Sequence, residues 1–200
     1  MFKLFCTSLL LGVMTTPVMA QTNRNQGSMA LSLAGIANAR VKNVESEDRD
    51  NNTDLGAGAL IEAKVNNRLG IETGVLLINR HYGYEKAGLR LTQEVRRVHV
   101  PVLARFWVAN IFSVAAGPFV AFKTGDTETT VHAGNTALAS YKTTADDSTE
   151  YGLDAAATLS FAVNETAGIF VEGRYSALLE KQSDEEADEI SGLAGLKINL

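Results

Sequence analysis

Three histidines, His81, His99 and His132, are the side chains in this sequence best placed for acid–base chemistry near neutral pH. A histidine becomes catalytic beside a nucleophile or an orienting carboxylate, and His81 has no serine at a telling spacing. His132 falls in a polar connecting segment, and His99 sits between Arg97 and Arg105 in an alternating run. Oxygen ligands for a cation come next. Asp48, Asp50, Asn52 and Asp54 occupy alternate positions, as a calcium loop requires. The rest of that loop pattern fails, because Thr53 stands where the turn glycine belongs and Ala59 where a bidentate Glu belongs. A second acidic cluster holds Asp184, Glu185, Glu186, Asp188 and Glu189. Both clusters read first as solvated charge. Brought together, they would form a negative rim that divalent cations could bind. Gly56-Ala57-Gly58 begins a nucleotide-type glycine motif, but it lacks the third glycine and lies within a strand pattern. No catalytic, cofactor-binding or metal-binding residue is assigned, and no cofactor is expected.

The remaining ionisable side chains follow a rule: they fall on one face of alternating segments. Eight runs alternate with period two, the signature of strands with one apolar face. They span Met29–Val41, Leu55–Val65, Leu69–His81, Glu94–Trp107, Ile111–Lys123, Tyr151–Val163, Ile169–Leu179 and Ile190–Leu200. Tyr151, Leu153, Ala155, Ala157, Leu159, Phe161 and Val163 form the clearest apolar face, opposite Asp154, Thr158 and Ser160. The polar faces carry Arg40, Glu62, Lys64, Glu72, Arg80, Arg97, Arg105, Lys123, Asp154, Glu172, Arg174 and Lys197. In the third run Leu76 and Ile78 fall on the polar side. Val98 to Phe122 holds few charges and competes as a membrane helix, but Arg105 interrupts it and Asn110 marks a turn.

Connections alternate in length. Short ones lie near Asn66-Asn67-Arg68, Ala109-Asn110 and Asn164-Glu165-Thr166; long polar ones run Lys42–Asp54, Gly83–Leu91, Gly125–Ser148 and Lys181–Glu189. In an up-and-down meander all long loops fall at one end, and both termini join the short turns at the other. That asymmetry belongs to outer-membrane barrels. Lys3, the apolar run Leu4 to Val13 and Val18-Met19-Ala20 make residues 1–20 a signal peptide. Residues 21–200 are then one barrel domain. The only cysteine, Cys6, lies inside the leader, so the mature chain is expected to hold no disulfide. A net charge of −5 argues against a nucleic-acid surface.

Volume decides which face looks out. An eight-stranded barrel has room inside only for side chains. Charges of both signs can pair in that interior, while the apolar face meets lipid along strands of the required length. Aromatic residues sit near strand ends: Tyr82, Tyr84, Phe122 and Tyr151 towards the long loops, and Phe106, Trp107, Phe112, Phe161 and Phe170 towards the short turns. These are the expected interfacial girdles.

With this pattern, Ser28 to Leu200 resembles the small outer-membrane β-barrel families of OmpA-type, OmpX-type and PorT-like domains. The resemblance is carried by His99-Val100-Pro101-Val102-Leu103-Ala104-Arg105 followed by Ala116-Gly117-Pro118-Phe119-Val120-Ala121-Phe122, similar to the strand-turn-strand centre of such barrels. Leu200 departs from the terminal aromatic usual there. The expectation is an all-β, eight-stranded antiparallel up-and-down transmembrane β-barrel, a monomer in the outer membrane of a Gram-negative bacterium. Its expected partners are outer-membrane lipid and lipopolysaccharide, the barrel assembly machinery and an extracellular surface ligand. The expected role is non-enzymatic: loops anchored for adhesion or envelope integrity. A lipid A-modifying enzyme, a narrow channel and a soluble periplasmic β-barrel binder are the alternatives.

Overall fold

The computed structural model describes residues 29–40, 53–86, 89–133, 136–144, 149–179 and 188–200. The expected signal peptide and most of the first and fourth long connections lie outside these residues. Nine strands follow in order: β1 (Met29–Arg40), β2 (Asp54–Lys64), β3 (Leu69–Lys86), β4 (Leu89–Trp107), β5 (Phe112–Ala133), β6 (Thr136–Thr144), β7 (Thr149–Ala162), β8 (Ala167–Leu178) and β9 (Glu189–Asn199). Eight of them close a ring of antiparallel neighbours, β1-β2-β3-β4-β5-β7-β8-β9, and β9 returns to β1 from Ala30↔Asn199 to Arg40↔Glu189. Val98 to Phe122 is divided between β4 and β5, not one helix.

Two of the three four-residue connections at the terminal end share their turn chemistry. The Asn66 side chain accepts N–H bonds from Arg68 and Leu69 at 2.8 Å each. Asn164 accepts from Thr166 at 2.9 Å and Ala167 at 2.7 Å. An asparagine side chain that bonds its own backbone two and three residues on holds such a reversal without further packing.

Alternation sets the two faces. Leu33, Ile61, Leu159, Val171 and Ile198 look outward and are exposed, whereas Arg97, Asp154 and Arg174 are buried at 2% exposure or less. This is a membrane barrel, apolar outside and charged within. Phe170 corrects the girdle reading: it is buried inside the barrel with Leu60, Leu76 and Leu193. Its position shares parity with Glu172 and Arg174, and the lumen needs apolar volume where no ion pair fills it. Phe119 points inward too. Phe106, Phe122, Tyr151 and Phe161 look outward as expected, and the side chains of Tyr82 and Tyr84 lie outside the described residues.

The second correction concerns the long connections. Gly83–Leu91 is mostly strand, with β3 reaching Lys86 and β4 starting at Leu89. Gly125–Ser148 holds the outer part of β5 and all of β6. At Gly125, φ is +81°, a conformation open to glycine. Around it the β4–β5 register jumps from Arg96↔Thr124 to Glu94↔Glu128. Beyond that bulge β3, β4, β5 and β6 continue as a four-stranded sheet above the barrel mouth. At about 3.3 Å per residue, the outer nine residues of β5 run roughly 30 Å along the strand.

Candidate functional site

Two places hold the chemistry: the ionic lumen and the projecting sheet. Inside, Arg105 on β4 is the centre of the inner cluster. Its guanidinium donates to Glu72, to Glu172 at 2.9 Å, to Ser113 at 2.7 Å and to Thr158 at 2.6 Å, and its Nε lies 3.4 Å from Glu62. Arg174 on β8 shares two of these acids, donating to Glu172 at 2.6 Å and Glu72 at 2.9 Å, and reaches Asp154 at 3.3 Å. Asp154 also faces His99 Nε2 at 2.9 Å. The His99 ring stacks on Phe119 with centroids 4.3 Å apart, and the Arg97 guanidinium lies 5.7 Å above the same ring. Towards the terminal end Lys197 Nζ donates to Glu62 at 2.6 Å.

A second cluster closes the outer mouth. Arg97 pairs with Glu150 and donates to Glu189 at 2.8 Å. Arg80 donates to Glu189 and to Glu150 at 3.3 Å. Glu150 and Glu189 stand at the starts of β7 and β9, so this quartet ties together the roots of two extracellular connections. Sequence reasoning missed Glu150 and placed Glu189 in an acidic rim. The structure corrects this: strand parity with Ser191 carries Glu189 into the lumen, where two guanidiniums compensate it. Asp54, read as a loop oxygen ligand, is likewise buried and accepts the His81 N–H at 2.9 Å. Asp188 folds onto the end of β8, accepting from Tyr175 Oη at 2.9 Å and from Leu178 N–H at 3.2 Å. Asp48, Asp50, Asn52 and Asp184 to Glu186 lie outside the described residues.

Of the expected lumen residues, Glu62, Glu72, Arg80, Arg97, Arg105, Asp154, Glu172 and Arg174 are buried. Lys64, Lys123 and Lys197 are partly exposed, and the Arg40 side chain lies outside the described residues. Pairing at this density offsets part of the desolvation cost that isolated ions would face. It also fills the interior, together with Leu60, Leu76, Leu103, Phe119 and Phe170, all at 4% exposure or less. A shallow opening at the short-turn end is lined by Glu62, Lys64, Trp107, Ser113 and Lys197, of which Glu62 and Ser113 contact Arg105.

His81, the acid–base candidate at the outer rim, faces two carboxylates: Asp54 at 3.3 Å from Nδ1 and Glu94 at 3.9 Å from Nε2. His99 is sealed in the lumen, and His132 lies on the outer part of β5, paired with Arg90 and Ala137. The structure therefore does not bring the three histidines together.

The outer membrane protein beta-barrel domain family matches residues 19–179. The chain belongs to this family. It is therefore a small outer-membrane β-barrel protein of the Gram-negative envelope, surrounded by lipid. Solved structures share the fold. Ail, the attachment invasion locus protein of Yersinia pestis, is 14% identical with a TM-score of 0.55, over 88% of this chain and 99% of that one. Neisserial surface protein A is 10% identical with a TM-score of 0.50, over 88% and 99%. OprG from Pseudomonas aeruginosa is 11% identical with a TM-score of 0.50, over 88% and 97%. No curated protein sequence matches the barrel.

Proposed function

We propose that this barrel is a non-enzymatic anchor that carries a projecting sheet into the extracellular space, where the sheet and its neighbouring loops contact external surfaces. Residues 1–20 act as a removable export signal and residues 21–200 as the mature barrel. The observation that carries this reading is a contrast within one strand set. The lumen is packed with paired ions, which disfavours solute passage, while β3 to β6 extend far past the apolar band. A chain of this length gains nothing for membrane anchoring from strands outside the membrane. The likeness to Ail, named for attachment and invasion and also solved with the heparin analogue sucrose octasulfate, supports an adhesive role for this sheet.

The test compares bacteria displaying the intact chain with bacteria displaying a variant in which residues 126–144 are replaced by a two-residue Asn-Gly turn. Adherence to cultured epithelial cells is expected to fall severalfold, with the variant's heat-modifiable gel mobility intact. Equal adherence by a folded variant would refute the reading. Purified protein is expected to give flat conductance in planar bilayers, and the lipid A mass spectrum is expected to be unchanged on expression. An added or lost acyl or polar group that depends on His81 would instead establish the enzymatic alternative.

A further inference from the structure

The three turns at the terminal end repeat one set of backbone bonds. In each, two successive N–H groups donate to a single carbonyl: Val65 and Asn66 to Leu69 at 2.9 and 3.0 Å, Val108 and Ala109 to Phe112 at 3.1 and 3.0 Å, and Val163 and Asn164 to Ala167 at 2.9 and 3.0 Å. In two of the turns the second of these residues is an asparagine, Asn66 or Asn164. Its side-chain oxygen accepts two N–H groups further on, at 2.8 Å from Arg68 and Leu69, and at 2.9 and 2.7 Å from Thr166 and Ala167. The third turn has Ala109 at that position, with no side-chain oxygen to offer. Among the described residues the Ile111 N–H finds no acceptor, and the Phe112 N–H has only a 3.3 Å contact with the Ala109 carbonyl. Two backbone donors therefore stand open where the sister turns hold an oxygen atom. This same turn borders the opening at the short-turn end, a cavity of about 100 Å³ whose lining includes Trp107, Asn110, Ile111, Phe112, Glu165 and Lys197. The Trp107 ring lies against β3 where Gly70 leaves room for it, since a Cβ there would fall 2.6 Å from the ring. Lys197 Nζ holds Glu62 at 2.6 Å and, with three N–H groups, can serve a further oxygen.

We propose that this corner of the barrel binds a short periplasmic peptide by its terminal carboxylate. One carboxylate oxygen takes the place that the Asn66 and Asn164 oxygens fill in their own turns, accepting from Ile111 and Phe112. Successive backbone N–H groups are a recurrent means of capturing a terminal carboxylate. An ionised acceptor makes the shorter and stronger bond, so a carboxylate gains more there than water or a neutral amide does. Lys197 supplies the opposite charge within the same cavity, and Trp107 and Phe112, both half-buried, cover small apolar side chains beside the carboxylate. The cavity has room for a group the size of several waters, which suits one or two small residues. A phosphate dianion is disfavoured, because Glu62 and Glu165 line the same space. The packed lumen stops the peptide from going further. The site lies at the opposite end of the barrel from the projecting sheet, so it stands independently of the surface-contact reading.

Trp107 is the only tryptophan, so its fluorescence reports on the cavity in the folded chain in detergent micelles. The probe is N-acetyl-Ala-Ala, and the control is its C-terminal amide, which has the same shape without the charge. The acid is expected to change the fluorescence saturably and to move the Ile111 and Phe112 amide protons downfield in NMR spectra, whereas the amide moves neither. Ala109→Asn rebuilds the side-chain cap of the sister turns and fills the open position from within. This variant is expected to keep heat-modifiable mobility and to bind the acid at least tenfold more weakly. Titration with the D-Ala-D-Ala form distinguishes the source: tighter binding than the L-form assigns the site to cell-wall peptides, and weaker binding to protein-derived ones, the site being upheld in both cases. Absence of a saturable response to either form would overturn the proposal. So would an equal response to the amide, tighter binding of inorganic phosphate, or undiminished binding by folded Ala109→Asn. All but the last of these are read on the unaltered chain, and they decide the matter even if the variant does not fold.

Discussion

Removing Arg105 and Arg174 together should destabilise the barrel by more than the sum of removing each. Arg105→Met deletes the donor to Glu72, Glu172, Ser113 and Thr158. Each acid keeps another partner: Glu72 and Glu172 retain Arg174 at 2.9 and 2.6 Å, and Glu62 retains Lys197 at 2.6 Å. Breaking a buried pair costs roughly 3–5 kcal/mol, so this substitution should fall near the bottom of that range, at about 3 kcal/mol. Arg174→Met is similar, because Arg105 still serves Glu72 and Glu172 and His99 still serves Asp154 at 2.9 Å. In the double variant the two glutamates lose both guanidiniums at once. The coupling should then reach about 1–3 kcal/mol beyond additivity. Urea unfolding in lipid vesicles, followed by the fluorescence of Trp107, the sole tryptophan, measures this. With a slope near 2 kcal/mol per molar urea, each single variant shifts the midpoint by about 1.5 M. If either single variant lies within about 0.5 kcal/mol of the parent, or if the double variant is additive to that precision, the lumen is not held as described. Adding Glu72→Gln and Glu172→Gln to the double variant should recover much of the loss, since neutral amides carry no uncompensated charge.

Two further substitutions address the lipid face and the closing seam. Val171→Arg places a cation on the outward face near the middle of β8, where Val171 is 56% exposed in the protein alone; it should cost about 2–4 kcal/mol in vesicle folding titrations, and a neutral result would mean that this face does not meet lipid. At the seam between first and last strands, a Cβ on Gly195 would fall 1.9 Å from the Leu33 carbonyl oxygen, whereas one on Gly35 meets nothing within 4 Å. Gly195→Ala should therefore cost about 1–3 kcal/mol and slow closure, while Gly35→Ala should be nearly neutral; equal effects in equilibrium unfolding would contradict the packing at the seam.

Parity carried most of the fold in the sequence. Once Tyr151 and Leu159 face lipid, Asp154 and Thr158 must face the lumen. The failures arose where parity was abandoned too early. Glu189 has the parity of Ser191, and Glu150 that of Asp154, yet both border polar connections, where charge density suggested solvent. Extending the alternation two residues past each apolar run would have placed them inside. Phe170 failed for the opposite reason: its type suggested a girdle while its parity with Glu172 placed it within. The projecting sheet was not legible. Asp126-Thr127-Glu128-Thr129-Thr130 holds no apolar residue, so no apolar face marks it as strand, and only pairing with β4 and β6 reveals it.

The low identity to Ail over nearly the whole chain follows from the same physics. The outer wall asks of each position only that it be apolar, so Leu33, Val171 and Ile198 can exchange with any similar group. The lumen asks for matched charge and filled volume, and a guanidinium between two carboxylates can be supplied from several strands. Neither demand names particular residues, so the barrel can drift far while keeping its shape. Beyond the mouth the constraints differ: backbone pairing is required, no lipid acts, and side chains are free to be selected by what they touch. Strand β6 lies in that region; among the described residues it pairs with β5 alone and carries a single charge, Lys142.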